Sequence, residues 1–182
     1  MHPVFLLRCF MGFQAYNFSL FMTEATIRFI QPADNPLLAI IIRDTLKEFG
    51  ANHPGTVYYD NTTDHLSEVF DAARSVYHVA IVDGEVAGGA GIYPTDGLPS
   101  DTCELVKMYL SPRARGLGLG KQLMQHCLQA AANNGFGKVY LETMPELTIA
   151  VPMYKNFGFV NLPGPLGNSG HHGCGIWMIK TL

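Results

Sequence analysis

Short apolar segments separated by turn residues run along most of the chain, a pattern typical of a sheet of short strands. An Asp83-Gly84 pair lies between the second and third of these segments and predicts a tight hairpin. The predicted strands cover residues 26–30, 75–82, 85–93, 102–110, 138–143 and 175–181.

Apolar residues at helical spacing predict helices between these strands. Leu119, Leu123, Cys127 and Ala131 mark the buried side of one helix, and the glycine at position 135 ends it. The other predicted helices cover residues 36–49, 64–73 and 146–157. Antiparallel strands followed by a strand–helix–strand unit predict an α+β fold, with a mixed, mostly antiparallel twisted sheet of about six to seven strands flanked by helices.

The length and composition favour one domain. The chain has 182 residues, of which 48% are hydrophobic, and no linker divides residues 22–182. Residues 1–21 form an apolar leader, but Arg8, Gln14 and Asn17 interrupt it, so none of its apolar runs approaches the roughly 20 residues that a membrane-spanning helix needs. We interpret it either as an upstream extension of the reading frame or as an accessory helix.

Charge and cysteine usage exclude some functions. The net charge is −3 and the basic residues do not cluster beyond Arg113 and Arg115, so neither a nucleic-acid partner nor a membrane surface is expected. The four cysteines, which lack a paired spacing, predict reduced thiols in a cytoplasmic protein. They are Cys9, Cys103, Cys127 and Cys174.

A glycine-rich segment, Arg113-Ala114-Arg115-Gly116-Leu117-Gly118-Leu119-Gly120, lies between a predicted strand and a predicted helix. Backbone N–H groups at such a helix start converge on an anion, so we expect a phosphate there. A nucleotide P-loop would need a hydroxyl where Gln122 stands, and a dinucleotide fingerprint would need glycine at position 121 or 123, which hold lysine and leucine.

The spacing of Arg113, Gly116 and Gly118 resembles the acyl-CoA pyrophosphate loop of the GCN5-related N-acetyltransferases. Tyr154, with an alanine four residues before it and Gly-Phe four residues after it, is similar to that family's closing motif, and residues 104–112 are similar to its fourth strand. The resemblance covers residues 26–182 and implies the acyl-CoA N-acyltransferase fold with acetyl-CoA as co-substrate. It implies cofactor contacts from Met108, Tyr109, Leu110, Arg113, Arg115, Gly116, Leu117, Gly118, Leu119, Gly120 and Lys121.

The resemblance also implies direct transfer of an acetyl group to an amine in a ternary complex. An amine with a pKa of about 10 is mostly protonated at neutral pH, so a base must take its proton. Glu104 is the first candidate and Glu142 the rival, or both act together. Peptide N–H groups near Met108 would stabilise charge on the thioester oxygen, and Tyr154 would protonate the departing thiolate.

Strand alternation predicts that Glu104 shares a face of the sheet with Val106, Met108 and Leu110, opposite Cys103 and Lys107, unless a bulge changes that parity. Leu147, where many family members have asparagine, and Pro152 inside the last predicted helix depart from the family pattern. Pro152 predicts a kink or a late helix start. These departures leave open an alternative, a non-catalytic acyl-CoA-binding sensor.

The acceptor is expected to be a small-molecule or peptide amine, bound by the loops 50–63 and 161–175. The aromatic and histidine residues that could line this pocket are His53, Tyr58, Tyr59, His171 and His172. A metal site at the last two histidines and Cys174 is disfavoured because no second ligand cluster completes it, so no metal is predicted. An acetyl-cysteine route is also disfavoured. A homodimer is favoured slightly over a monomer.

Overall fold

The computed structural model describes residues 23–182, so the predicted leader 1–21 lies outside the described residues. Within that range the backbone forms one mixed sheet in the order β1-β2-β3-β4-β5-β7-β6. The strands are β1 (Ala25–Phe29), β2 (Val76–Val82), β3 (Glu85–Tyr93), β4 (Thr102–Leu110), β5 (Lys138–Thr143), β6 (Val160–Leu162) and β7 (Ile176–Thr181).

The α+β prediction is confirmed. Every neighbouring pair of strands is antiparallel except β4 and β5, which run parallel. The hairpin turn lies at Asp83 and Gly84, which both have positive φ, as a tight two-residue hairpin turn requires. The sequence prediction missed β6, because three mostly exposed residues show no alternation that periodicity could detect.

The parallel pair β4 and β5 opens towards one end. Their pairing covers Thr102 to Glu104 on β4 and ends at the Glu104–Tyr140 pair. Beyond Glu104, β4 continues for six residues without a partner on this side. The two strands therefore separate, and backbone N–H and C=O groups of β4 are left free to contact a ligand.

In residues 23–182, four α-helices cover the two faces of the sheet: α1 (Asn35–Glu48), α2 (Leu66–Val69), α3 (Leu119–Asn133) and α4 (Ala150–Asn156). One buried cluster joins Leu38, Ile42 and Leu46 of α1 to Tyr77 and Val79 of the sheet. A second cluster joins α3 to the opposite face, so each long helix buries the apolar stripe that predicted it.

Two helix predictions need correction. The helix predicted over 64–73 is a 3₁₀ segment (Asn61–His65) followed by the single turn α2, because Asp60 accepts a bond from the Thr62 N–H at 2.8 Å and caps the 3₁₀ segment. The last helix begins at Ala150 instead of residue 146. Pro152 thus lies in its first turn, where no intrahelical N–H bond is lost, and the predicted late start is confirmed.

A bulge in β4 makes the prediction that Met108 and Leu110 share the face of Glu104 wrong, whereas Val106, before the bulge, keeps the predicted parity with Glu104. Gly89 of β3 pairs with Tyr109, whereas Gly91 pairs with Val106, so one β3 residue faces two β4 residues. Lys107, the first of the two, has φ of +50°. Since the extra residue shifts the alternation, Met108 and Leu110 pack on the α3 face, while Val106 and Tyr109 pack on the α1 face.

Candidate active site

A cleft of about 470 Å³ opens where β4 and β5 separate. Its walls come from the free edge of β4, the end of β5, the glycine-rich loop, α4 and the loop before β7. The residues that line it include Glu104, Lys107, Met108, Tyr109, Leu110, Arg115, Gly116, Gly118, Leu119, Gly120, Glu142, Met153, Tyr154, His171 and Cys174. Most of the residues proposed for chemistry from the sequence therefore meet in one place.

The glycine-rich loop forms one end of the cleft. Gly116 and Gly118 have φ of +77° and +76°, a left-handed conformation that favours glycine. Gly118 is the N-cap of α3, and its carbonyl accepts the first helical bond from the Gln122 N–H at 3.1 Å. The N–H groups of the first turn of α3 have no intrahelical partner and are available to an anion.

Three residues predicted to contact the cofactor do not line the cleft: Arg113, Leu117 and Lys121. Arg113 is exposed, pairs with Glu85, and donates to the Val86 carbonyl at 3.1 Å. Its guanidinium is therefore held against the β2–β3 hairpin. The other eight residues predicted to contact the cofactor all line the cleft.

Arg115 is the cation of the loop that does line the cleft. Its guanidinium makes two bonds to the carboxylate of Glu48, at 2.6 and 2.7 Å, and donates to the Leu110 carbonyl at 3.2 Å. The same guanidinium lies 5.3 Å from the ring centre of Phe49. The loop is thus tied to the C-terminal end of α1.

Glu104 lies at the point where β4 and β5 part, with only 3% of its surface exposed. The Thr95 hydroxyl donates to its carboxylate at 2.5 Å. Burial is the main cause that raises the pKa of Glu104 to about 7; the charge of Glu142 also raises it, while the hydrogen bond from Thr95 opposes the rise. A carboxyl group with this pKa exchanges a proton readily near neutral pH.

Glu142 lines the cleft across from β4. The Tyr140 hydroxyl donates to one carboxylate oxygen at 2.8 Å, and the Ser169 hydroxyl donates to the other at 2.9 Å. Tyr140 in turn accepts a bond from the Leu166 N–H at 3.0 Å. Glu142 therefore anchors the loop before β7. By contrast, the carboxylate of Glu104 accepts its hydrogen bond from the Thr95 hydroxyl.

Tyr154 lies on α4 and faces the cleft, with 6% of its surface exposed. Burial raises the pKa of its hydroxyl above the ordinary value, so the group carries its proton at neutral pH. Its ring packs 6.0 Å from that of Phe159, centre to centre. The Gly158-Phe159 part of the motif thus supports the tyrosine ring.

The sequence reasoning missed a buried ion pair on the opposite wall. Lys107 donates to the Asp60 carboxylate at 2.5 Å and to the Thr63 hydroxyl at 3.3 Å. His171 Nε2 lies 3.4 Å from the same Asp60 oxygen. Burial alone would raise the pKa of Asp60, but hydrogen bonding to His171 and the Lys107 charge outweigh it and hold that pKa well below its usual range.

The contact between Asp60 and His171 joins the two loops expected to bind the acceptor. Asp60 belongs to the loop 50–63 and His171 to the loop 161–175, and the Gly173 N–H donates to the Gly55 carbonyl at 2.8 Å. Of the five residues named from the sequence, His171 lines the cleft. His53, Tyr58, Tyr59 and His172 do not, so their contact with an acceptor stays a prediction.

The thiols and the histidines were also considered for other chemistry. Cys174 lines the cleft, but burial raises its pKa to about 12, which leaves the thiol protonated and weakly nucleophilic. Within residues 23–182, no three histidine, cysteine or acidic side chains are arranged to hold a metal ion. Over the same range, no helix combines the length and apolar character needed to cross a bilayer.

Comparison with known proteins agrees with this geometry. The Acetyltransferase (GNAT) family matches residues 39–159. The chain is 39% identical to an uncharacterised N-acetyltransferase of Escherichia coli, YjgM, over 82% of this chain and 90% of that one.

Solved structures share the fold. A GNAT-family acetyltransferase of Staphylococcus aureus superposes with a TM-score of 0.77 at 16% identity, covering 87% of this chain and 99% of the other. YncA of Salmonella typhimurium, proposed to be an acetyltransferase and solved with acetyl-CoA, superposes with a TM-score of 0.65 at 20% identity. The match covers 87% of this chain and 94% of the other. The chain belongs to the GNAT family and is an acetyl-CoA-dependent N-acetyltransferase.

Proposed function

We propose that this enzyme transfers an acetyl group to an amine by direct attack within a ternary complex, with Glu104 as the base and Tyr154 as the acid. One observation carries the proposal. A buried carboxyl group with a pKa of about 7 and a protonated tyrosine line the same cleft, whose other end is a glycine-rich helix start.

The residues present suit an acyl-CoA. The left-handed Gly116 and Gly118 and the free N–H groups of α3 fit a pyrophosphate, and the unpaired edge of β4 offers backbone groups to the amides of a pantetheine arm. When bound, acetyl-CoA supplies an acetyl group activated as a thioester.

Glu104 would take the proton that the attacking amine loses as its nitrogen bonds to the acetyl carbon. We favour Glu104 over Glu142 because the Glu142 carboxylate already accepts bonds from Tyr140 and Ser169 on its two oxygens. Burial of Glu104 also places its pKa near the working pH, where a general base combines availability with proton affinity. Glu142 then acts by orienting the loop before β7.

Two further groups would act when the carbon–sulfur bond breaks. A backbone N–H of the β4 bulge, next to Met108, would stabilise negative charge on the acetyl oxygen. Tyr154 would donate its proton to the departing sulfur, so that coenzyme A leaves as a thiol. The buried position of Tyr154 keeps that proton in place until it is needed.

The acceptor we propose is a small-molecule or peptide amine that enters between the loops 50–63 and 161–175. Both loops contact each other at Gly55 and Gly173 and border the cleft beside Glu104. Glu104 and Glu142 give this end of the cleft carboxylate groups suited to an amine that arrives protonated.

The test is acetyl-CoA turnover, followed as free thiol release against a panel of amines. We expect turnover with a subset of amines, and a loss of about 10²–10⁴ in kcat for Glu104→Gln. Tyr154→Phe should also lower kcat. Glu146→Gln, which changes an exposed carboxyl group between β5 and α4, and Tyr93→Phe are the matched controls and should resemble wild type.

Turnover that is equal in wild type and Glu104→Gln would contradict the base assignment. Binding of acetyl-CoA by calorimetry with no thiol release on any amine would instead support a non-catalytic acyl-CoA sensor. That result would contradict the proposed reaction while leaving the fold and family intact.

A further inference from the structure

Lys107 combines two unusual features. It is a non-glycine residue with φ of +50°, in the left-handed region, and only 9% of its surface is exposed. Such a conformation costs about 1–2 kcal/mol for a residue with a side chain, and it persists where surrounding contacts hold it. The contacts of Lys107 therefore indicate what the bulge in β4 is for.

Neighbouring residues hold both the side chain and the backbone of Lys107. The ammonium is fixed by Asp60 and Thr63, as described above. The carbonyl oxygen of Lys107 accepts a hydrogen bond of 2.9 Å from the hydroxyl of Tyr77. Tyr77 lies on β2, two strands away, and only 1% of its surface is exposed.

The glycines of β3 let Tyr77 reach that carbonyl. A Cβ on Gly89 would lie 2.5 Å from the Tyr77 ring, and a Cβ on Gly91 would lie 2.7 Å from it. The Tyr77 ring therefore lies over β3, in space that a side chain at position 89 or 91 would occupy. Gly89 and Gly91 thus have a structural role that the sequence alone did not reveal.

The bond fixes the direction of the peptide group that links Lys107 to Met108. In a trans peptide the C=O and N–H point to opposite sides. Because the Lys107 carbonyl points over β3 to Tyr77, the Met108 N–H points away from β3, towards the open side of β4. Met108 lines the cleft on that side, beyond the last residue that β5 pairs.

We propose that Tyr77 is a positioning residue: through the Lys107 carbonyl it aims the Met108 N–H at the acetyl oxygen of the bound thioester. The expected effect of Tyr77 on the reaction rate rests on the proposed function. Its expected effect on the hydrogen bond to the acetyl carbonyl does not. Tyr77 does not line the cleft, so its hydroxyl acts through the peptide group alone.

The chain offers a matched control for this hydroxyl. Tyr93 is also a tyrosine of this cluster, and both rings pack against Phe70, at centre distances of 4.9 Å for Tyr77 and 5.8 Å for Tyr93. Tyr93 does not line the cleft. Tyr93→Phe therefore removes the same atom from the same aromatic cluster without touching the bulge.

The experiment compares wild type, Tyr77→Phe and Tyr93→Phe by infrared spectroscopy of acetyl-CoA labelled with ¹³C at the acetyl carbonyl. Hydrogen bonding lowers the carbonyl stretching frequency. We expect a lowered frequency in wild type and Tyr93→Phe, and a smaller shift in Tyr77→Phe. On an accepted amine, kcat of Tyr77→Phe should fall about tenfold with KM for acetyl-CoA unchanged, since one oxyanion donor is displaced but not removed.

An equal carbonyl shift in all three proteins would overturn the inference. So would a rate loss in Tyr77→Phe that Tyr93→Phe shares. Failure of the proposed function is distinguishable, because it would abolish turnover in every variant while the spectra still report on the Met108 N–H.

A second pair of variants tests the backbone requirement without Tyr77. In an Asp60→Asn background, which removes the buried carboxylate charge, Lys107→Gly keeps the left-handed conformation accessible and Lys107→Ala does not. We expect the glycine variant to retain the carbonyl shift and the alanine variant to lose most of it. The reverse order would contradict a role for the bulge in aiming the N–H.

Discussion

The two ends of the cleft are built in different ways. The end proposed to receive the pyrophosphate is formed by the backbone of one continuous segment, residues 111–121, with two left-handed glycines and a helix start. The end proposed to receive the acceptor is formed by side chains from β4, β5 and two loops more than 100 residues apart, since Asp60 and His171 meet there. A backbone site depends on local sequence, whereas a side-chain site depends on the whole fold.

The two ends also differ in how firmly their charges are held. Lys107 and Asp60 form a buried pair, with side chains 6% and 19% exposed. Arg115 and Glu48 form a pair near the surface, with side chains 28% and 42% exposed. Desolvation makes the first pair costly to break, and solvent screens the second.

The largest stability effect is expected at the buried pair. Lys107→Met should lower the free energy of unfolding by about 3 kcal/mol, because it leaves the Asp60 carboxylate without its main cation. Urea denaturation measures this directly. The double variant Asp60→Asn, Lys107→Met should recover a large part of that loss, since no unpaired buried charge remains. Equal stability of the single and double variants would contradict the account.

A smaller effect is expected at the pyrophosphate end. Gly118→Ala places a side chain at φ of +76°, although a Cβ there would meet only the Gln122 amide nitrogen at 4.0 Å. The strain of about 1 kcal/mol should weaken acetyl-CoA binding about fivefold, with KM for the amine unchanged.

Calorimetry of acetyl-CoA binding checks the Gly118 prediction, with Gly118→Asn as the control. Asparagine tolerates the left-handed region better than alanine, so its affinity should lie between those of alanine and glycine. Equal affinities in all three proteins would mean that the loop conformation does not govern cofactor binding.

This difference between the two ends explains what the sequence could predict. The glycine loop and the strand edges follow from local pattern, and the predicted bounds of β3, β4 and β5 agree with the structure. The faces of Met108 and Leu110 could not be predicted, because they depend on a bulge that Tyr77 and the glycines of β3 hold across neighbouring strands. Asp60 carried no signal, since its partners are distant in sequence.

The smallest effect is expected at the surface pair. Glu48→Gln frees the Arg115 guanidinium from its carboxylate partner and should raise acetyl-CoA affinity by less than about threefold, because exposed pairs are weak and screened by salt. Calorimetry at low and high salt should show the gain at low salt only. A loss of affinity as large as that of Gly118→Ala would mean that Glu48 is needed to orient Arg115.

The most direct test of the central claim is the pH dependence of kcat in wild type, Glu104→Gln and Tyr154→Phe with one accepted amine. Glu104 acts as a base only when ionised, so the wild-type rate should rise with pH through about 7, and Tyr154→Phe should keep that limb at a lower rate. Ionisation of the amine affects all three proteins equally, so a difference between their pH profiles reports on the enzyme. Loss of the limb near pH 7 in Glu104→Gln is the result predicted, and its persistence there would contradict the assignment of Glu104 as the base.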